Sequence, residues 1–76
     1  MKKYFIKQYY FFDGMISEYT ITLFRKRILF NKEICKVVKL DVLEDEIKLL
    51  VTQRSGYLDL LDDSDALLWF KLNYGG

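Results

Sequence analysis

The chain has 76 residues with no proline, one cysteine and no histidine, and its formal net charge is only +1. This length predicts one domain, residues 1–76, and excludes a second core. A chain this short buries only roughly 60–65% of the surface that its unfolded form exposes. Because 51% of the residues are apolar and 17% are aromatic, part of that apolar surface is expected to stay exposed as an interface.

The inventory of reactive side chains argues against catalysis. Histidine, the commonest general base near neutral pH and the commonest metal ligand, is absent. One cysteine cannot build a Cys/His zinc site, and no glycine-rich phosphate-binding motif occurs. The acidic run at 59–65 lacks the ligand spacing of a calcium loop. The sequence therefore predicts a protein that is not an enzyme, with no catalytic residues, no cofactor and no metal.

The cysteine count and the hydropathy pattern bear on the compartment. Cys35 is the only thiol, so no disulfide can form within the chain, and a reducing environment is favoured. Its apolar neighbours predict a small buried hydrophobic side chain. No apolar run approaches the roughly 20 residues of a membrane span. The expected location is cytoplasmic with no membrane partner, and the lysine-, isoleucine- and tyrosine-rich composition suits an AT-rich bacterial or phage genome.

Turn-forming residues divide the chain at regular intervals into runs rich in Val, Ile, Thr, Tyr and Phe. The turns are expected at 13–14, 31–33, 44–46, 55–56 and 62–65. Short strands at such spacing are typical of all-β folds. The sequence predicts an all-β fold, a small antiparallel meander or barrel/roll of five to six strands, opened by a hairpin at Asp13-Gly14.

The second run contains a change of phase. Tyr19, Ile21 and Leu23 alternate on one face, but from Phe24 onward the apolar residues occupy the other set of positions. A shift by one residue is what a β-bulge produces, so a bulge is predicted near Leu23-Phe24. The strand is expected to continue through Phe30, where Asn31-Lys32 would close a tight second hairpin.

Two segments fit either kind of secondary structure. Residues 41–54 fit a strand, which their dense β-branched residues favour, or a helix with a capping-box-like start. The helical alternative makes the fold α+β, with an N-terminal hairpin and a helix near 41–54. Residues 66–72 are expected to form a strand with Leu67 and Trp69 pointing outward, or a helix capped by Ser64.

Charge is unevenly distributed along the chain. Residues 1–39 carry nine basic and three acidic side chains, a net of +6, whereas residues 40–76 carry three basic and eight acidic ones, a net of −5. Nine of the thirteen aromatic residues lie in the basic half. Cations between aromatic rings suit single-stranded nucleic acid, because bases stack on rings while Lys and Arg contact phosphates. The candidate nucleic-acid surface is Lys7, Tyr9, Phe11, Arg25, Lys26 and Arg27.

The leading functional hypothesis is a small non-enzymatic binding protein that acts through protein–protein contact. It would serve as an inhibitor, adaptor or accessory factor and would self-associate, with a homodimer as the simplest form. The candidate protein interface is Leu67, Trp69 and Tyr57. Nucleic-acid binding through the basic, aromatic-rich half is the alternative.

Overall fold

A computed structural model describes residues 1–13, 15–42, 47–53 and 56–75; for β4 and for residues 13, 41 and 42 it describes the backbone only. Within these residues, five strands precede one helix. Their bounds are β1 Lys2–Asp13, β2 Ile16–Arg25, β3 Lys32–Val42, β4 Ile47–Gln53, β5 Leu58–Leu60 and α1 Asp63–Asn73.

The strands form one antiparallel sheet in the order β3-β2-β1-β4. Strand β5 also pairs with β1, opposite residues 2–4, whereas β4 pairs with residues 7–13. The two short strands therefore follow each other along the same edge of β1. The link between them includes Gly56 at a φ of +75°, a left-handed conformation that glycine adopts without a Cβ clash.

Helix α1 covers one face of this sheet. It begins after Asp62, whose carboxylate accepts a hydrogen bond from the Asp65 amide at 3.0 Å, and it carries Lys71 in its last turn. Ala66 and Phe70, one turn apart, lie against the sheet and are fully buried. The other core residues come from strands β1 and β2: Tyr4, Ile6, Ile21 and Leu23.

The all-β prediction is wrong in one element, and the fold is a mostly β sheet with a C-terminal helix. The helix lies at 63–73 rather than near 41–54, where residues 47–53 form strand β4 as the favoured interpretation expected. The strand prediction for 66–72 failed because five consecutive apolar residues, 66–70, conceal the helical period. None of them is β-branched, and Ala and Leu are strong helix formers. The cap is Asp62, not Ser64.

The predicted bulge is confirmed between Leu23 and Phe24, although the extra residue lies in the partner strand. Leu23 pairs with Cys35 and Phe24 pairs with Glu33, which leaves Ile34 as the additional residue of β3. The bulge lets both Ile34 and Cys35 pack against the helix-side core, where strict alternation would admit only one of them. Cys35 is half-buried there.

The tight second hairpin is not formed. Strand β2 ends at Arg25 and β3 begins at Lys32, so residues 26–31 form a six-residue loop, called the β2–β3 loop below. Two of the predicted turns, at Gly14 and at 44–46, lie outside the described residues, as does Ser55 of a third. The hairpin that Asp13-Gly14 predicted is nevertheless present as the antiparallel pairing of β1 with β2.

Candidate functional site

The face of the sheet opposite α1 is called the open face, since no described helix or strand lies over it. Directly paired residues of an antiparallel sheet point to the same side, so the open face is built of rows across β1, β2 and β3. From the end nearest the β2–β3 loop, the rows are Phe5–Phe24–Glu33, Lys7–Thr22–Lys36, Tyr9–Thr20–Val38 and Phe11–Glu18–Leu40.

The half of the open face farther from the β2–β3 loop is apolar and exposed. Val38 is 48% exposed and Leu40 is 69% exposed, and Tyr9 and Ile16 near them are also exposed. Thr20 and Thr22, in the middle of the sheet, are buried by their neighbours and line a depression at the centre of the face. An exposed cluster of large apolar side chains on a sheet face is a typical binding surface.

The half nearer the loop is a cluster of rings and cations. Phe5 stacks on Phe24 with ring centroids 5.4 Å apart and meets the edge of Tyr57 at 5.8 Å. The Lys7 ammonium lies 5.7 Å from the centre of the Phe24 ring, and the Lys26 ammonium lies 5.8 Å from that of Tyr57. Both separations are within the range of cation–π attraction. The open face therefore has an apolar half and a cationic aromatic half.

The β2–β3 loop is the most exposed apolar segment of the described chain. Ile28 is 100% exposed, Leu29 is 85% exposed and Phe30 is 81% exposed. The cations Lys26 and Arg27 immediately precede these three residues. A single exposed leucine is common. Three successive bulky apolar side chains in water have an unfavourable hydration free energy, and packing within the chain does not offset it.

The base of this loop is fixed by Asp63, the first residue of α1. The carboxylate accepts hydrogen bonds from the Lys32 ammonium at 2.8 Å and from the Tyr4 hydroxyl at 2.7 Å, and the Arg25 guanidinium lies 3.7 Å away. The hydrogen bonds from Lys32 and Tyr4 hold the pKa of Asp63 below its usual range. Burial, followed by the hydrogen bond to Asp63, raises the pKa of Tyr4 to about 12. The two strands that enter and leave the loop are thus tied to one carboxylate.

The structure distributes the predicted nucleic-acid residues over three places. Lys7, Tyr9 and Phe11 share the open face as neighbours along β1. Arg25 is on the helix side with Asp63, while Lys26 reaches the ring of Tyr57 and Arg27 lies in the loop. Glu18 and Glu33 also lie on the open face, which the sequence alone did not indicate.

The residues of the predicted protein interface do not form one patch. Leu67 and Trp69 are half-buried on α1, where Trp69 packs against the core and meets the edge of the Tyr74 ring at 5.9 Å. Tyr57 lies beside Phe5, on the other face of the sheet. Exposed apolar residues that sequence reasoning missed are Ile16, Val38, Leu40 and the loop residues Ile28, Leu29 and Phe30. The last three were missed because the Asn31-Lys32 turn signal predicted a tight hairpin. A six-residue connection between β2 and β3 would have placed them in a loop.

Within the described residues, no group of three or more metal-ligating side chains comes together, and every buried side-chain nitrogen and oxygen has a hydrogen-bond partner. No described helix has the length and hydropathy needed to cross a bilayer. Comparisons with protein-family models, with curated proteins and with solved structures found no match to this chain. The surfaces described above are therefore the basis on which function is argued.

Proposed function

We propose that this chain is a small non-enzymatic binding protein that acts through protein–protein contact, as an inhibitor, adaptor or accessory factor, and that it self-associates through its open face. The observation that carries the proposal is the exposed apolar half of that face, formed by Tyr9, Ile16, Val38 and Leu40. A monomer would leave these side chains in water, whereas a second sheet packed on them would remove them from it.

The charges of the open face favour a second copy as the occupant. The row with Lys7 and Lys36 lies on one side of the Tyr9–Thr20–Val38 row, and the row with Glu18 lies on the other side. A twofold axis that runs across the strands through the middle row sets the lysine row of each copy on the glutamate row of its partner. An axis along the strands would instead set lysine on lysine, so the charges select an antiparallel arrangement of the two copies.

The size of the face is sufficient for such a dimer. The molecule measures 44 × 27 × 18 Å along its principal axes, and the twelve residues of β1 span about 40 Å. A stable interface buries about 800 Å² on each partner. Two sheet faces pack about 10 Å apart, a distance that large apolar side chains such as those of Tyr9 and Leu40 bridge.

Leu40→Asp is expected to convert the dimer to a monomer. The change removes the apolar contact of Leu40 and buries a carboxylate, whose desolvation the lysine row of the second copy offsets only in part, and should cost about 2 kcal/mol or more, roughly a thirtyfold weaker dimer. Sedimentation equilibrium of the wild type and the variant over a micromolar concentration range measures this shift. The matched control is Leu68→Asp, an equally exposed leucine on the outer side of α1, which should leave the dimer unchanged.

A charge swap tests the antiparallel arrangement itself. Lys7→Glu should weaken the dimer because it opposes Glu18 of the second copy, and combining it with Glu18→Lys should restore the dimer. A wild type that sediments as a monomer at every concentration would contradict self-association. A dimer that survives Leu40→Asp would place the interface elsewhere.

Nucleic-acid binding is the second candidate, and the cationic aromatic half of the open face favours it. Lys7 and Lys26 lie over rings that an unpaired base could stack on. Fluorescence anisotropy with single-stranded DNA and RNA should then show salt-dependent binding. Lys7→Gln combined with Lys26→Gln should reduce the slope of log affinity against log salt by about one per cation, while Lys71→Gln on α1 should not. No binding at low salt would exclude this candidate.

A further inference from the structure

The end of the sheet at the β2–β3 loop combines exposed apolar side chains with more cations than acids. The Lys26 amide donates to the Lys3 carbonyl at 2.8 Å, so the loop leaves the sheet beside the start of β1. Leu60 pairs with Lys2, and this places exposed Leu61 at the same end as exposed Met1. Together with Ile28, Leu29 and Phe30, they form an apolar tip on the narrow end of the molecule.

Three of the four acidic residues near this end are engaged, and the fourth, Glu33, lies exposed on the open face opposite Phe24. Asp59 pairs with Lys3 at 3.3 Å, and Asp62 caps the helix. Asp63 binds Tyr4, Arg25 and Lys32 at the base of the loop. The cations that remain beside the apolar tip are Lys2, Lys26 and Arg27, and no acid lies between residues 19 and 32. The tip is therefore both apolar and electropositive.

We propose that the β2–β3 loop docks this protein on an anionic lipid surface, with Ile28, Leu29 and Phe30 in the interfacial region and Lys26 and Arg27 at the headgroups. Bulky apolar side chains next to Lys and Arg are the chemistry that such a surface recognises. Docking of this kind needs no membrane-spanning helix, and it departs from the sequence-based expectation of no membrane partner. The proposal is independent of self-association through the open face, because it uses a different end of the molecule.

A bilayer fits this tip better than a protein partner does. A protein interface draws on about 20–30 residues from each side and depletes lysine in its core. The tip offers a single six-residue loop and two neighbouring residues, and among the described residues the cavity at the loop is lined by 25–30 alone. A fluid lipid surface accepts side chains one by one with no preformed pocket, and each cation near an anionic leaflet strengthens binding by about fivefold.

The test is co-sedimentation of the full chain with vesicles of phosphatidylcholine alone and with vesicles of equal parts phosphatidylcholine and phosphatidylserine. The wild type is expected to bind the mixed vesicles and to bind the neutral ones far more weakly. Ile28→Ser, Leu29→Ser and Phe30→Ser combined should abolish binding. Lys26→Gln with Arg27→Gln should weaken it roughly thirtyfold, at about fivefold per cation.

The controls separate loop docking from adhesion in general. Leu68→Ser with Leu72→Ser removes two leucines of α1 that are also largely exposed and should leave vesicle binding unchanged. Phe30→Trp should add a fluorescence component that shifts to shorter wavelength on the mixed vesicles, because the new ring enters a less polar layer. The loop side chains are almost fully exposed, so the variants should keep the far-UV circular dichroism spectrum of the wild type.

Three outcomes would overturn the proposal. The first is a wild type that does not bind the mixed vesicles at low salt. The second is a triple serine variant that binds them as the wild type does. The third outcome is a triple serine variant that loses self-association, as seen in the sedimentation assay, because the loop would then be part of a protein interface. Failure of vesicle binding with an intact open-face dimer would reject the lipid proposal alone.

Discussion

Phe70→Ala is expected to lower the free energy of unfolding by about 3–5 kcal/mol, which is the usual cost of truncating a fully buried phenylalanine. Phe70 is 0% exposed and packs between the helix and the strand core of Tyr4, Ile6, Ile21 and Leu23. Alanine is the better helix former, so the loss would come from the cavity and not from helix propensity. A domain of this size has a total stability of about 4–11 kcal/mol, and the variant would retain little of it.

Urea unfolding followed by the fluorescence of Trp69, the residue before Phe70, measures this loss. Leu72→Ala is the matched control, because Leu72 lies on the same helix and is exposed. Its effect should stay within about 0.5 kcal/mol. Equal unfolding midpoints for Phe70→Ala and the wild type would mean that α1 does not contribute to the core as described.

The second large effect is a loss of stability in alkali that depends on Tyr4. Burial raises the pKa of Tyr4 to about 12 in the folded protein, whereas an unfolded tyrosine titrates near 10. The folded state holds this proton more tightly, so its contribution to stability is complete below pH 10 and is lost as the pH rises from 10 towards 12. The loss should be of order 2–3 kcal/mol.

Tyr4→Phe isolates this contribution. At neutral pH the variant loses the 2.7 Å hydrogen bond to Asp63, at a cost of about 1.5–3 kcal/mol for a bond to a charged group. Between pH 10 and 12, its stability should then fall less steeply than that of the wild type. Tyr57→Phe, at an exposed position, should keep the wild-type profile. Parallel pH profiles for Tyr4→Phe and the wild type in urea titrations would contradict the assignment.

The two proposed surfaces are separated within the chain, and this makes their tests independent. Leu40 and the row of Glu18 lie at the far end of β2 and β3, whereas Ile28 and Phe30 lie beyond their near end. Leu40→Asp should therefore act on the dimer and not on vesicle binding, and the loop variants should act on vesicle binding and not on the dimer. In the antiparallel dimer the two loops project from opposite ends, so only one of them can dock on a given flat surface and dimerisation should not strengthen vesicle binding through linked events.

Much of the strand prediction came from the alternation of apolar and polar residues within single segments. The alternation of Tyr19, Ile21 and Leu23 predicted the helix-side face of β2, and the phase change after Leu23 predicted a bulge at the correct place. Period-2 alternation reports directly which side chains share a face, so these features could be read without the fold. The position of the extra residue, Ile34, in the partner strand could not be predicted. The register is set by how β2 pairs with β3, and the pattern of one strand does not report that pairing.

The candidate sites were less predictable than the strands. Val38 and Leu40 belong to a run that alternates as a half-buried strand does, and only the position of α1 on the opposite face leaves them exposed. Arg25 and Lys26 are adjacent in sequence, yet one pairs with Asp63 and the other reaches Tyr57 on the other face. Residues next to each other in a strand point to opposite sides, which divides a sequence cluster between two surfaces.

The β-rich chain, the bulge position and the surplus of apolar residues could be read from the sequence, because each depends on side-chain type and short-range spacing, whereas the strand at 47–53 was favoured over a helix but not decided. The helix at 63–73 depends on tertiary contacts, since burial of Ala66 and Phe70 against Ile6 and Leu23 favours it over a strand. Tertiary contacts also determine which face stays open and that Ile28, Leu29 and Phe30 project from the end of the sheet. Those outcomes depend on contacts between residues far apart in the chain. A local sequence pattern does not report the free energy of such contacts.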